Sequence, residues 1–259
     1  MSVAPTLTVW DYSGIVAAAY DHFFGDEPFW DQAFYAERIR ANGGRALELG
    51  CGTGRLMLPY LRDGLEVEGL DTSADMLALL RAKAARLALS PVLHQLPMQD
   101  FDLAGRYRTV FCPAGSYRIL LSDAEIIASL RCCLHALAPG GELLIPFDVG
   151  VPAAGEQTAW RERRHVQVPS FNAEVRIFER HGFDPEQQRV QWFLRWEVMR
   201  AGATEVFHRD HLLRHHTVEG FTALLRQAGF TGIQTRRGYT DPQSLDPEDD
   251  VIFSARRAQ

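Results

Sequence analysis

The sequence predicts an α/β fold, a mostly parallel sheet between layers of helices, carrying an inserted block of antiparallel strands. Three observations lead there. A short apolar strand, Ala46 to Leu49, breaks into the glycine turn Gly50-Cys51-Gly52-Thr53-Gly54, and a second such strand about twenty residues on ends in Asp71. Strand-like and helix-like periods then alternate as far as Val149. Beyond it the period becomes two: Val190, Trp192, Leu194, Trp196 and Val198 alternate with Gln191, Arg195 and Glu197. That pattern is an antiparallel sheet with one buried face.

With 259 residues the chain has room for one large α/β domain with an insertion, or for two small domains. The expected divisions are N-terminal helices over 1–44, an α/β core over 45–150, the inserted β-region over 151–213, and the rest of the core over 214–259. A hydrophobic content of 46% and a charged content of 23% are those of an ordinary globular protein. A net charge of −6 disfavours a nucleic-acid partner, which needs clustered positive charge. No apolar run approaches the ~20 residues that span a bilayer, and no basic, apolar leader opens the chain. Cys51, Cys112, Cys132 and Cys133 lack C-x-x-C spacing. A cytoplasmic protein without a membrane partner is expected, as monomer or homodimer.

Taken in order, residues 1–9 read as a loose arm, followed by a short alanine-rich helix and an amphipathic helix over 28–40 that Gly43-Gly44 ends. The glycine turn opens a helix to about Arg62 with Pro59 inside it, and Asp63-Gly64 leads into the strand that Asp71 closes. Thr72 and Ser73 offer cap oxygens to a helix over 74–88. Strands follow at 92–96 and 108–112. Ser122-Asp123-Ala124-Glu125 is a capping box opening a helix to about Leu137, and Pro139-Gly140-Gly141 turns into a strand over 142–149. The inserted strands are expected at 161–168, 173–181, 189–200 and 204–213. Thr217 caps a helix over 218–227, strands at 233–238 and 251–255 close the fold, and 241–250 is an acidic loop.

The glycine spacing narrows the ligand. A dinucleotide fingerprint would need glycine at position 55, which holds Arg55, and no phosphate-cradling G-x-x-x-x-G-K occurs. Glu48-x-Gly50-x-Gly52-x-Gly54, with Asp71 downstream, resembles motifs I and II of the class I S-adenosylmethionine (SAM)-dependent methyltransferases. Leu137-x-Pro139-Gly140-Gly141 and Leu224-Leu225-x-x-Ala228-Gly229-Phe230 match further phrases of that family, and the plan of lid, loops and insertion is similar to that of its sugar-amine N-methyltransferases. The resemblance implies a Rossmann-like sandwich whose last strand is antiparallel, with an N-terminal helical lid and the inserted β-region over the active-site mouth. The implied cofactor is SAM. Its implied contacts are Tyr20, Glu48, Gly50, Gly52, Gly54, Asp71 on the ribose hydroxyls, Thr72, Met76 and Pro113. On the adenine side Pro97 replaces an Asp common in relatives, leaving Met98 and Gln99 as the contacts.

The resemblance covers 12–150 and, by pattern, 214–255; over 151–213 it is faint. Acceptor contacts are expected from Tyr12, Tyr117, Arg118, Arg176, Arg195 and Arg214. Tyr117 has core packing as its alternative, and Arg176 and Arg195 a solvated strand face. The missing Asn-Pro-Pro-Tyr phrase argues against base methylation. His208 and His211 are candidate bases for a protonated nucleophile, although a strand over 204–213 would point them to opposite faces. With no HExxH helix, no metal is expected. The implied reaction is methyl transfer to a small molecule, at an amine nitrogen rather than a hydroxyl. Two alternatives stay open: a cyclase or lyase that releases methylthioadenosine from SAM, and a non-catalytic SAM-binding module.

Overall fold

A computed structural model of the protein describes residues 12–23, 27–148, 158–239 and 250–259. The expected arm at 1–9 and nearly all of the acidic loop lie outside them. The described residues form two compact units, one of 12–23 with 158–215, the other of 27–148 with 216–239 and 250–259. The N-terminal helices expected as one lid are thus divided between the units.

The larger unit is built in chain order from α2 (Gln32–Asn42), β1 (Ala46–Leu49), α3 (Met57–Arg62), β2 (Val67–Asp71), α4 (Ala74–Arg86), β3 (Val92–Gln95), β4 (Tyr107–Phe111), α5 (Asp123–Ala136), β5 (Leu137–Phe147), α6 (Val218–Ala228), β10 (Thr231–Arg237) and β11 (Val251–Arg256). Its seven strands lie in the order β10-β11-β5-β4-β1-β2-β3. β11 pairs antiparallel with β5 and β10, and the remaining pairs are parallel. The chain runs outward from β1 to β3, then returns to place β4 on the other side of β1. That reversal opens a crevice at the carboxyl ends of β1 and β4, where sheets of this kind bind ligands.

Local chemistry explains the boundaries. Ser73 caps α4 by accepting the Met76 amide at 3.1 Å. Ser122 and Glu125 form the reciprocal capping box of α5, and Gly229 ends α6 in the left-handed region. Pro59 is tolerated because α3 starts at Met57, later than expected, which places the proline in the first turn, where its missing N–H has no intrahelical partner to lose. β5 begins five residues before its expected start, and the pairing with β4 shifts register between Tyr107 and Thr109. Burial of β1 and β4 on both faces fits their unbroken apolar runs. Glu142 is buried inside β5 and is held by Asn42 at 2.8 Å and by the Arg38 guanidinium, which fastens α2 to the sheet.

The smaller unit is the antiparallel meander β6 (Arg161–Val168), β7 (Ala173–Asp184), β8 (Arg189–Arg200) and β9 (Ala203–Arg214), together with α1 (Gly14–Ala19). Side chains alternate across it as the sequence implied. Val175, Ile177, Leu194, Trp196 and Val198 share one face, where Val16 and Ala19 of α1 pack on them.

Candidate active site

Glu48 lies on β1 and Asp71 ends β2, side by side at the sheet's carboxyl edge. The glycine turn crosses in front of both. Gly50, Gly52 and Gly54 all have positive φ, which makes the turn tight. At Gly54 (φ +83°) a Cβ would stand 2.8 Å from Leu80 Cγ and 3.0 Å from Leu58 Cγ, so this glycine lets the turn pack on α3 and α4. Gly69, inside β2, was not singled out by the sequence; a Cβ there would meet the Cys51 sulfur at 2.7 Å.

Asp71 accepts the Gly52 amide on Oδ2 at 2.8 Å and the Ser73 amide on Oδ1 at 2.9 Å. Burial raises its pKa, partly countered by the backbone N–H groups of Ser73, Gly52 and Thr72. The carboxylate therefore organises the turn as well as offering its remaining lone pairs outward. Glu48 is 2% exposed, and its Oε2 has no hydrogen-bond partner among the described residues. Burial pushes its pKa up to about 8 against the pull of Arg55, and Asp31 and Asp71 add to the rise.

Sequence reasoning missed what holds this corner. Arg55 makes a two-pronged ion pair with the fully buried Asp31, at 2.6 and 2.8 Å, and its guanidinium lies over the rings of Phe29 and Trp30. An arginine directly after a glycine turn, with an acid and two aromatics ahead of α2, was the available signal.

The other expected site residues fall in several places. Thr72 is exposed beside Asp71, Met76 is buried in α4, and Pro113 is buried just past β4. Met98 sits in the core with Leu47, Leu49 and Leu70, and Gln99 next to it is half-buried. Tyr117 is a core residue: fully buried, it packs on Phe147 and Phe221 and donates to the Ile126 carbonyl at 3.4 Å. An acceptor contact is not carried forward for it. Arg118, in the same short 3₁₀ turn, faces Asp148 at 3.8 Å.

The rest lie in the smaller unit. Tyr12 and Tyr20 pack edge to face at 5.2 Å. His208 and His211 fall on opposite faces, opposite Arg195 and Trp192 respectively. His211 is 6% exposed, and burial lowers its pKa to about 4, with Arg209 adding to the shift, so its ring is neutral near pH 7. Arg176 and Arg195 share the face of His208; Arg176 pairs with Glu162 and Arg195 with Glu197 at 3.2 Å. Arg214 ends β9 opposite Arg189. Also unforeseen is Glu179, 1% exposed on the His211 face, which accepts from Arg161, Arg163 and Trp192 at 2.7 to 3.0 Å. Among the described residues no three His, Cys, Asp or Glu side chains gather as a metal site, and no helix is long and apolar enough to cross a membrane.

SAM carries a ribose diol, an ammonium and a sulfonium. A buried carboxylate oxygen lacking a partner among the described residues, an acid with outward lone pairs, and a glycine turn on which a ligand's atoms can approach the backbone fit that ligand. Residues 46–141 match the family described as a methyltransferase domain. Over those residues the chain carries a methyltransferase domain. A dTDP-3-amino-3,6-dideoxy-α-D-glucopyranose N,N-dimethyltransferase of Streptomyces fradiae is 36% identical over 159 residues, which is 56% of this chain and 60% of that relative. This chain thus spans about three-fifths of that curated relative. A solved SAM-bound amino pentose methyltransferase from Micromonospora echinaspora is 27% identical, with a TM-score of 0.70 over 95% of this chain and 98% of its own. A sugar N-methyltransferase from Streptoalloteichus sp ATCC 53650 shares the fold, with 22% identity and a TM-score of 0.76 over 100% and 99% of the two chains.

Proposed function

We propose that this methyltransferase moves the methyl group of SAM to an amine nitrogen of a small molecule, with amino sugars as the leading acceptor class. The observation that carries the cofactor half is Glu48, a buried carboxylate whose Oε2 has no partner among the described residues. The acceptor half rests on the likeness to amino-sugar N-methyltransferases. Glu48 takes the ammonium of the methionine portion, and Asp71 takes the ribose hydroxyls while its hydrogen bond to Gly52 keeps the turn in shape. Met98 and Gln99 line the adenine side, and Thr72, Met76 and Pro113 complete the walls. Tyr20 remains the candidate cofactor contact of the N-terminal segment. When bound, SAM supplies a sulfonium-activated methyl group.

For such a reaction the protein contributes position and the exclusion of water rather than a bond-making group. An amine must meet the methyl group unprotonated. A neutral His211 is the stronger of the two histidine candidates for accepting a hydrogen bond from the acceptor, since a neutral ring keeps a lone pair on one nitrogen near pH 7. Tyr12, Arg176, Arg195 and Arg214 are the acceptor-side contacts proposed from the smaller unit.

Purified protein incubated with SAM and a panel of dTDP-amino sugars, matched dTDP-hydroxy sugars and simple amines tests the reading. Mass spectrometry should find S-adenosylhomocysteine together with a 14-dalton gain on an amine. Methylation confined to hydroxyl acceptors would overturn the nitrogen preference. Methylthioadenosine formed from SAM alone would overturn methyl transfer itself.

A further inference from the structure

Among the described residues one cation acts on Glu48 by its charge, and that cation is held elsewhere. Arg55 pulls the Glu48 pKa down without a hydrogen bond to it. Its Nη1 and Nη2 donate instead to Oδ1 and Oδ2 of Asp31 at 2.6 and 2.8 Å, in a pair whose side chains are 9% and 0% exposed. Asp31 stands at the N-cap of α2, yet its side chain makes no capping bond, so both carboxylate oxygens are committed to Arg55. Ordinary helix chemistry would have used that acid at the cap.

The guanidinium is fixed from several sides. It lies over the rings of Phe29 at 5.1 Å and Trp30 at 4.9 Å. Two further ties seat the same stretch on α3: Glu27 pairs with Arg62 at 2.7 Å, and the Tyr60 hydroxyl donates to the Gln32 carbonyl at 2.9 Å. A guanidinium within charge range of a desolvated carboxylate gains strongly by bonding it, unless another acid holds it first. The remaining groups near Glu48 supply no positive charge. Asp71 repels it, and burial raises the pKa of Cys51, Tyr60 and Cys112, which keeps them uncharged.

We propose that Asp31 is a positioning residue for the cofactor: by holding the Arg55 guanidinium it keeps that cation off Glu48 and leaves the Glu48 carboxylate to the ammonium of SAM. The proposal rests on the reading above, in which Glu48 takes that ammonium, and it adds a residue that does not touch the cofactor. Asp31 and Arg55 cancel each other's charge, so the arriving ammonium meets a carboxylate and no competing cation.

The test uses the full chain and reads SAM affinity by calorimetry from about pH 6 to pH 9. Asp31→Asn keeps the side chain's shape and removes its charge. Arg55 then turns to Glu48, and SAM should bind roughly tenfold or more weakly. Adding Arg55→Gln to that variant removes the competing cation and should bring affinity back to within about threefold of wild type. If Asp31 served the fold alone, the second substitution would cost a further contact and restore nothing; that result, or unchanged affinity in Asp31→Asn, overturns the proposal. The pH profile gives an independent readout. The rise of SAM affinity with pH, tied to the Glu48 pKa of about 8, should move to lower pH by about one unit or more in Asp31→Asn, because Arg55 then favours the ionised carboxyl. Should that variant not fold, Arg55→Lys is measured instead. A lysine cannot keep both prongs on Asp31, and its charge is shared with Glu48, so SAM affinity must fall by about twofold or more; no change sinks the proposal. Glu48→Gln separates the two claims. Weaker SAM binding there with Asp31→Asn unaffected defeats the positioning role alone, whereas unchanged SAM binding in Glu48→Gln defeats the cofactor reading on which it rests.

Discussion

Replacing Glu48 by glutamine gives the most direct test of the cofactor site. The folded, ligand-free protein holds this carboxyl at a pKa of about 8, against an ordinary value of 4.5, because burial disfavours its charged form more than Arg55 favours it. Between those two pH values the folded chain keeps a proton that the unfolded chain has released. The resulting stability is therefore complete below 4.5 and is lost as the pH rises through about 8. At 1.36 kcal/mol for each tenfold change in proton affinity, the span from 4.5 to about 8 amounts to roughly 5 kcal/mol. A side-chain amide cannot ionise, so in Glu48→Gln this pH-dependent contribution vanishes. Urea unfolding of the ligand-free pair from about pH 5 to pH 9 should show the variant gaining several kcal/mol on the wild type as pH rises. SAM reverses the ranking, because its ammonium is the partner the carboxylate lacks. Calorimetric SAM affinity should rise with pH in the wild type as Glu48 gives up its proton. In the variant it should be lower by roughly ten- to hundredfold and lack that rise. A stability difference that stays flat across the range would refute the buried, partnerless carboxyl.

Three further outcomes follow from the same geometry. Asp71→Asn should weaken SAM by roughly ten- to hundredfold, since it loses charge-assisted hydrogen bonds to the ribose and one of its contacts with the Gly52 or Ser73 amide; unchanged SAM affinity in calorimetry would misplace the ribose site. Gly54→Ala should destabilise the protein by about 2 kcal/mol or more, because the new Cβ meets Leu80 in a backbone region that only glycine enters cheaply; a thermal scan that matches wild type would contradict the packing. His211 should titrate near pH 4 by NMR rather than near 6.5. Its contribution to stability is present above 6.5 and lost as the pH falls through about 4, roughly 3 kcal/mol in all, so any activity limb near 6.5 must belong to another group.

The corner formed by Glu48, the glycine turn and Asp71 was legible because its geometry is local. Glu48, the glycine turn and Asp71 lie within one strand-turn-helix-strand unit, so spacing alone brings them together. The four inserted strands were legible for a similar reason: their alternation is set by one buried face, and only β7 and β9 run slightly past their expected ends. Tyr117 went the other way. Its position after a sheet strand suggested the crevice, but the 3₁₀ turn at Ser116–Ile119 rotates the ring into the core between Phe147 and Phe221. The Asp31–Arg55 pair and the Tyr35–Tyr239–Asp250 group were not legible. They join α2 to the glycine turn and to strand ends about 200 residues downstream, and no local period records such a meeting. The same holds for the divided N-terminus, where α1 is drawn to the β-unit by its small apolar face and α2 to the sheet by Arg38 and Glu142.

The acids of the larger unit explain one another when taken as a set along a single edge. Glu48, Asp71, Asp148 and Asp250 stand at the ends of β1, β2, β5 and β11, and burial raises the pKa of Glu48, Asp71 and Asp250 alike. Without ligands such an arrangement is unfavourable: Glu48, Asp71 and Asp250 are desolvated, and Asp31 and Asp71 raise the cost of ionising Glu48 further. Selection for stability alone would replace these residues with apolar ones, as the neighbouring positions Leu47, Leu49 and Leu70 already are. Under the proposed function this edge serves a cofactor that carries a sulfonium and an ammonium. Methyl transfer to nitrogen carries positive charge from the cofactor to the product.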